Sequence, residues 1–200
     1  MTSLRHNPDA TREPRDAYLD AARDCILDVG WRRTTLTEVA RRAGVSRMTI
    51  YRTWADMPQL LGDLMTREWA GVVTAEVEAE GPDGSAVRRI VRGILGTTRG
   101  LRHNELFTRI VELDPELILP YLFARRGRSQ ELILAITVEA IERGQRAGEI
   151  RAGNAVAIAR GVLLAAHGFV LSVHTMVDDE ATEQELDDEL ATLITRTLQP

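Results

Sequence analysis

The chain has no lysine. All 25 of its basic residues are arginine, which reads as compositional bias of the coding genome rather than as mechanism. It has one cysteine, Cys25, so an internal disulfide is excluded and a reducing compartment fits. With no histidine close to it in sequence, that thiol reads as buried and inert rather than nucleophilic. The N-terminus, MTSLRHNPDATREPR, lacks the apolar stretch of a secretory leader. The longest apolar run, 161 to 173, follows Arg160 and contains His167, and reads as too short and too polar to span a membrane. His167 and His174 share a helix face, but no His-x-x-x-His, Glu-x-x-His or Cys-x-x-Cys spacing occurs. No glycine-rich phosphate loop, nucleophile elbow or paired-carboxylate constellation stands out. The expectation is a cytoplasmic protein that is not an enzyme, with no metal, no cofactor and no membrane partner.

What is present is a globular composition. The 200 residues are 44% hydrophobic with a formal charge of −5, enough for one or two small domains with a real core. Apolar residues recur with helical spacing, and no segment alternates like a strand, which predicts an all-α fold. Residues 1–13 read as a polar, flexible arm. Arg5, Arg12 and Arg15, in or just after it, could brush a minor groove or simply belong to a frayed terminus. Tyr18, Ala21, Ala22, Cys25, Ile26 and Val29 form a stripe that predicts a helix from Pro14 to Val29, ended by Gly30.

The most informative stretch is Thr35 to Trp54, TLTEVARRAGVSRMTIYRTW. Thr35 and Glu38 have the spacing of a capping box, followed by Leu36, Val39 and Ala40 on one face. Gly44 suits the left-handed residue of a tight turn. Ser46 is the N-cap of a second helix, with Val45 stapled against Ile50. Two capped helices and a glycine turn make a helix-turn-helix. The second helix, roughly 12 Å long, matches the width of a DNA major groove.

Ile50 and Trp54 turn inward in this reading, leaving Arg47, Met48, Thr49, Tyr51 and Arg52 outside. Arg47 stands in the first turn, where recognition helices touch bases, and its fork fits guanine O6 and N7. Thr49 could meet a thymine methyl, Tyr51 a phosphate, and the Ser46 end a second phosphate. The bland alternative is a helical hairpin with solvated arginines. From Trp31 to Trp54, arginines 32, 33, 41, 42, 47 and 52 face a single acid, Glu38. That basic patch on an acidic chain points to a polyanion partner.

The segment Gly30 to Leu61 resembles the DNA-binding domain of the tetracycline-repressor (TetR) family. The resemblance rests on Gly30-Trp31, Thr34-Thr35, the Ala40-x-x-x-Gly44-Val45-Ser46 core, Ile50-Tyr51 and Trp54. It implies DNA contacts from Arg33, Thr35, Ser46, Arg47, Met48, Thr49, Tyr51 and Arg52. The family often carries a phosphate-binding lysine shortly after the recognition helix. Met57 stands there instead, so Arg52 or Arg33 would have to replace that contact.

The rest of the chain divides into helical segments. Asp56 caps a long fourth helix to about Glu80, broken by Gly81-Pro82-Asp83-Gly84. Segments at 85–98 and 104–113 follow, then a helix start at Asp114-Pro115-Glu116, interrupted by Pro120. Further helices are expected at 129–145, from Asn154 to about His174, and at 183–198. The run Arg125, Arg126, Arg128 could hold an anionic ligand or merely solvate a turn.

Small residues Gly161, Ala165 and Gly168 invite close helix approach, and Leu186, Leu190 and Leu193 space like a coiled-coil seam. Intrachain packing would explain both patterns. A homodimer is favoured because one short recognition helix reads few base pairs, so two-fold pairing on a palindromic operator is the usual remedy. Proteins similar to this family also pair through their last two helices. The resemblance further implies that the larger region encloses a small-molecule pocket, with Trp69, His103, Phe107, Tyr121, Phe123, His167 and Phe169 as aromatic and polar candidates.

The expected organisation is an arm at 1–13, a three-helix head at 14–55, and a larger ligand-binding and dimerisation domain at 56–200. The expected function is a DNA-binding transcriptional regulator, a repressor released from double-stranded DNA by an unidentified effector. The alternatives are an all-helical carrier or enzyme with an incidental helix-turn-helix, and a regulator with no effector.

Overall fold

A computed structural model of the chain describes residues 14–79 and 84–200. The expected arm at 1–13 and residues 80–83 of the expected break lie outside the described residues. Helix α1, Pro14–Val29, is followed by a 3₁₀ turn at Trp31–Arg33, then α2, Leu36–Arg42, and α3, Arg47–Thr53. The long α4, Met57–Ala79, leads to α5, Ala86–Arg102, and α6, Glu105–Leu113. A 3₁₀ turn at Pro115–Leu117 precedes the short α7, Leu119–Phe123. Then come α8, Arg128–Arg146, α9, Ala155–Ser172, with a 3₁₀ extension Val173–Thr175, and α10, Glu183–Leu198. The fold is all-α, and no strand occurs among the described residues.

Side-chain caps mark most helix starts. Ser85, Asn104, Asn154 and Thr182 each accept the amide three residues on, satisfying one of the four donors a helix start leaves open. Asp56 does the same for the Gln59 amide at 2.9 Å.

Two expected helix boundaries differ. Helix α5 continues past Thr98 to Arg102, because Arg99 and Arg102 reach Asp187 on α10 and anchor the extra turn. Asp114 makes no cap bond. Its buried carboxylate instead accepts the Trp31 amide at 3.3 Å and pairs with Arg32 at 3.4 Å, so only a 3₁₀ turn forms there.

Two apolar clusters hold the molecule. The first joins α1, α2 and α3 through Ile26, Val39, Ile50 and Trp54 to Leu60 and Leu64 of α4 and Leu106 and Ile110 of α6. The expected boundary at 55/56 falls inside this cluster. The second cluster joins α5, α8, α9 and α10. Its polar lock is Asp187, buried between Arg102 at 2.8 Å and Arg99 at 2.5 Å.

Helix α9 with its extension, Ala155–Thr175, is long and apolar enough to cross a membrane by length and composition, against the sequence expectation. One stripe of it, Ala155, Ile158, Ala159, Val162 and Ala166, packs in the second cluster, as in the core helix of a folded domain. Its outer face keeps Leu164 70% exposed. On α10 the inward stripe is Asp187, Leu190, Ile194 and Leu198. This corrects the expected surface seam, since Leu190 is 0% exposed. The i, i+3, i+4 spacing from Asp187 draws it inward, while Leu193 stays 52% exposed.

Candidate nucleic-acid interface

The turn between α2 and α3 is built by backbone bonding. Gly44 adopts φ 68°, which lets the Val45 amide reach back to the Ala40 carbonyl at 3.0 Å and close α2. Thr35 caps α2, accepting the Glu38 amide at 3.2 Å. The expected box is only half formed, because the Glu38 carboxylate pairs with Arg41 at 2.6 Å rather than turning back. That hydrogen bond holds the Glu38 carboxyl below its ordinary value. Ser46 caps α3 through the Thr49 amide at 3.2 Å.

Helix α3 has one inward residue, Ile50, and ends on Trp54, which is buried against Tyr18 with ring centroids 6.4 Å apart. Apart from the half-buried Thr49, the rest of it faces out. Arg47 and Arg52 are exposed, Met48 is 67% exposed and Tyr51 48%. Thr49 is half-buried, and its hydroxyl lies 2.9 Å from that of Ser46, so part of its bonding capacity is already used.

The six arginines of this segment do not act alike. Arg32 bonds Glu116 at 2.7 Å, Arg41 bonds Glu38, and Arg42 bonds Asp28 at 2.5 Å. Arg33, Arg47 and Arg52 are exposed with no carboxylate partner among the described residues. The effective positive charge is therefore narrower than the sequence count and sits on α3 and the turn before α2. Met57 packs partly buried against the head's apolar cluster.

Several polar contacts that sequence reasoning missed tie the head to the body, Arg23 to Glu105 at 3.0 Å and Arg67 to Asp20 at 2.9 Å among them, and two bear on the recognition helix and the turn that leads to α2. One is Asp63 on α4, whose carboxylate accepts the Trp54 indole N–H at 2.6 Å and also bonds Arg15 of α1 and Arg128 of α8. Burial pushes the Asp63 carboxyl up, but those three bonds outweigh it and hold it below its ordinary value. The other is the Asp114–Glu116 turn, which grips Trp31 and Arg32. Partners this far apart in sequence leave no local signature. Only an acid inside an apolar run, Leu61-Gly62-Asp63-Leu64, hints at one. Cys25 is buried in the head, and burial pushes its thiol up, which suits a packing role.

The body holds a cavity of about 510 Å³ between α5, α7, α8 and α9. Tyr121, Phe123 and His167 of the expected set line it. Burial holds the His167 imidazole below its ordinary pKa. The other four lie elsewhere. Phe107 is buried against Trp69, ring centroids 6.0 Å apart, in the head cluster. His103 is the exposed C-cap of α5, and Phe169 packs on the second cluster. Arg125, Arg126 and Arg160 also line the cavity. Of the expected pairing residues, Gly161 and Gly168 are exposed, Ala165 and Leu186 half-buried. No group of three His, Cys, Asp or Glu side chains that could hold a metal occurs among the described residues.

Comparisons with known proteins agree with this geometry. Residues 19–64 match the profile described as bacterial regulatory proteins, tetR family. An uncharacterised HTH-type transcriptional regulator of Mycobacterium bovis is 35% identical over 171 residues, covering 84% of this chain and 87% of its own length. A protein of unknown function from Rhodococcus sp. RHA1 shares the fold, with a TM-score of 0.68 at 23% identity over 98% of this chain and 100% of its own. So does a protein from Saccharomonospora viridis solved in complex with choline, with a TM-score of 0.62 at 17% identity over 93% and 97% of the two chains. With a capped, cation-bearing recognition helix and a relative matched along most of both chains, this protein is a helix-turn-helix transcriptional regulator and belongs to the tetR family.

Proposed function

We propose that the chain acts in the cytoplasm as a homodimeric repressor that leaves a palindromic operator when a small molecule fills the cavity of its body. The observation that carries the reading is the outer face of α3, where Arg47 and Arg52 stand free of acids beside Tyr51 and Met48. Arg47 reads a base edge, Tyr51 and the Ser46 end hold phosphates, and Arg33 and Arg52 supply the sequence-independent attraction. Thr35 lies at the same end of α2 and backs the phosphate contact. This surface favours the regulator over an all-helical carrier or enzyme.

Pairing through α9 and α10 is supported by the uncovered apolar face carrying Leu164 and Leu193 with Gly161, Gly168, Ala165 and Leu186. An apolar face of this kind gains by burial against a second copy. Two copies bring two α3 helices to half-sites about 34–36 Å apart.

Release is supported by the wiring between cavity and head. The segment Tyr121 to Arg126 lines the cavity, and two residues further on Arg128 bonds Asp63, which holds Trp54. A ligand that moves this segment shifts the head of each copy. Differential affinity of about 1–3 kcal/mol suffices to change operator affinity roughly 5–150-fold. The test is sedimentation and operator binding of the double variant Leu164→Glu, Leu193→Glu. The reading expects a folded monomer with much weaker operator binding, and a dimer of unchanged affinity contradicts it.

A further inference from the structure

The charge distribution around the cavity is one-sided. Its lining residues include three arginines, 125, 126 and 160, and no aspartate or glutamate. Arg126 is already bonded to Glu131 at 2.6 Å. Arg125 stacks over the Tyr121 ring at 5.2 Å and has no carboxylate partner among the described residues, and neither has Arg160. These two come from different elements, the turn before α8 and the middle of α9, and meet one space. Its inner wall is apolar, formed by Ile94, Leu134, Leu163 and Val170. His167 adds one neutral polar spot, since burial opposes its protonation.

We propose that the effector is an amphipathic carboxylate, its head held at the cavity rim by Arg125 and Arg160 and its apolar body lying on the inner wall. This rests on the reading of the cavity as the effector site and adds the chemical class. The guanidinium fork matches a carboxylate in two parallel bonds, and such charge-assisted bonds exceed neutral ones. A cation would meet the positive charge of Arg125 and Arg160, with the Glu131 carboxylate already paired to Arg126. A volume of about 510 Å³ lies within the roughly 300–1,000 Å³ of sites for ligands of drug size, so a medium alkyl chain or a substituted ring fits. Choline, the ligand of the Saccharomonospora viridis protein, is of the opposite charge class and should be refused here.

The test is calorimetric titration of the full chain with decanoate, 4-butylbenzoate, decan-1-ol, decylammonium and choline. At least one carboxylate should bind tenfold or more tightly than decan-1-ol, with decylammonium and choline weaker still. Which of the two carboxylates binds better separates an alkyl from an aromatic effector. Arg125→Gln and Arg160→Gln each lower carboxylate affinity about tenfold and leave the alcohol within twofold, in proteins whose melting is unchanged because both side chains are exposed. Arg126→Gln, whose guanidinium is already occupied, has a smaller effect. Equal binding of alcohol and carboxylate, tighter binding of either cation, or no binding of any probe overturns the proposal. Promoter DNA release is scored separately. A carboxylate that binds with this selectivity and leaves the DNA complex intact sinks the effector reading while the selectivity stands. A cation or alcohol that releases DNA does the reverse.

Discussion

The indole N–H of Trp54 donates to the carboxylate of Asp63 at 2.6 Å, so the residue that ends the recognition helix is held by the helix that leads away from it. Arg15 and Arg128 bond the same carboxylate. One acid thus joins α1, the end of α3, α4 and α8. Asp63→Asn keeps the shape and removes the charge. It should destabilise the protein by about 1–3 kcal/mol and shrink the effect of any ligand on DNA affinity. Urea titration and paired DNA titrations with and without ligand check both, and an unchanged ligand response removes Asp63 from the relay.

The same carboxylate makes a signed prediction in acid. Its folded-state pKa lies below the ordinary 3.8, so as pH falls the unfolded chain takes up this proton first. The contribution is complete above the ordinary value and is lost as pH drops through the lower folded one. The stability gap between wild type and Asp63→Asn should therefore narrow below about pH 4. A gap that stays constant from pH 7 to pH 3 contradicts the charge argument.

Arg47 and Tyr51 should separate by the kind of loss. Arg47→Ala costs about 1–3 kcal/mol of specific binding and relaxes the preference at one base pair of each half-site. Tyr51→Phe weakens binding evenly across sequences. Selection from randomised operators distinguishes them, and a changed preferred sequence for Tyr51→Phe refutes its phosphate role.

Free and paired arginines should differ in salt dependence. In the homodimer Arg33→Gln and Arg52→Gln each remove two phosphate contacts, one per copy, and should each reduce the slope of log K against log salt by about 1.8. Arg42→Gln, whose guanidinium is bonded to Asp28 at 2.5 Å, should change it less. Equal slope changes for all three would mean the intramolecular pairs dissolve on DNA.

Asp187 offers a test of the body alone. Asp187→Ala leaves the buried Arg102 with only Glu183, at 2.8 Å, on the exposed side. It should cost about 3 kcal/mol, as expected when a buried pair loses one member. Glu183→Gln should cost well under 1 kcal/mol, as for exposed pairs. Comparable losses for the two would contradict the burial argument.

The features legible in the sequence are those written in neighbouring residues. Thr35, Ser46, Asp56 and Asn154 each announce a helix start because an N-cap acts within three residues. Gly44 announces the turn because few other residues adopt its φ of 68°. The outer face of α3 follows from the inward turn of Ile50. What depends on partners far along the chain stays hidden. Asp114 has the local signature of a cap, yet Trp31 and Arg32, more than 80 positions earlier, claim its carboxylate. Counting charges made six equal arginines, and three are neutralised by acids that folding brings close. Leu190 fits a seam by spacing and a core by spacing, and the ion pair at Asp187 selects the core. The cavity takes three of seven expected liners, since Phe107 and Trp69 pack on each other, His103 ends α5 and Phe169 packs on the second cluster.

The most direct measurement is a footprint of the full chain on the intergenic DNA flanking its own gene, over a range of salt, with wild type and Arg47→Ala side by side. Helix α3 as the reading element predicts a protected two-fold symmetric site, weakened steeply by salt and blurred or lost in the variant. No protection at low salt, or a footprint that Arg47→Ala leaves unaltered in sequence and strength, contradicts it.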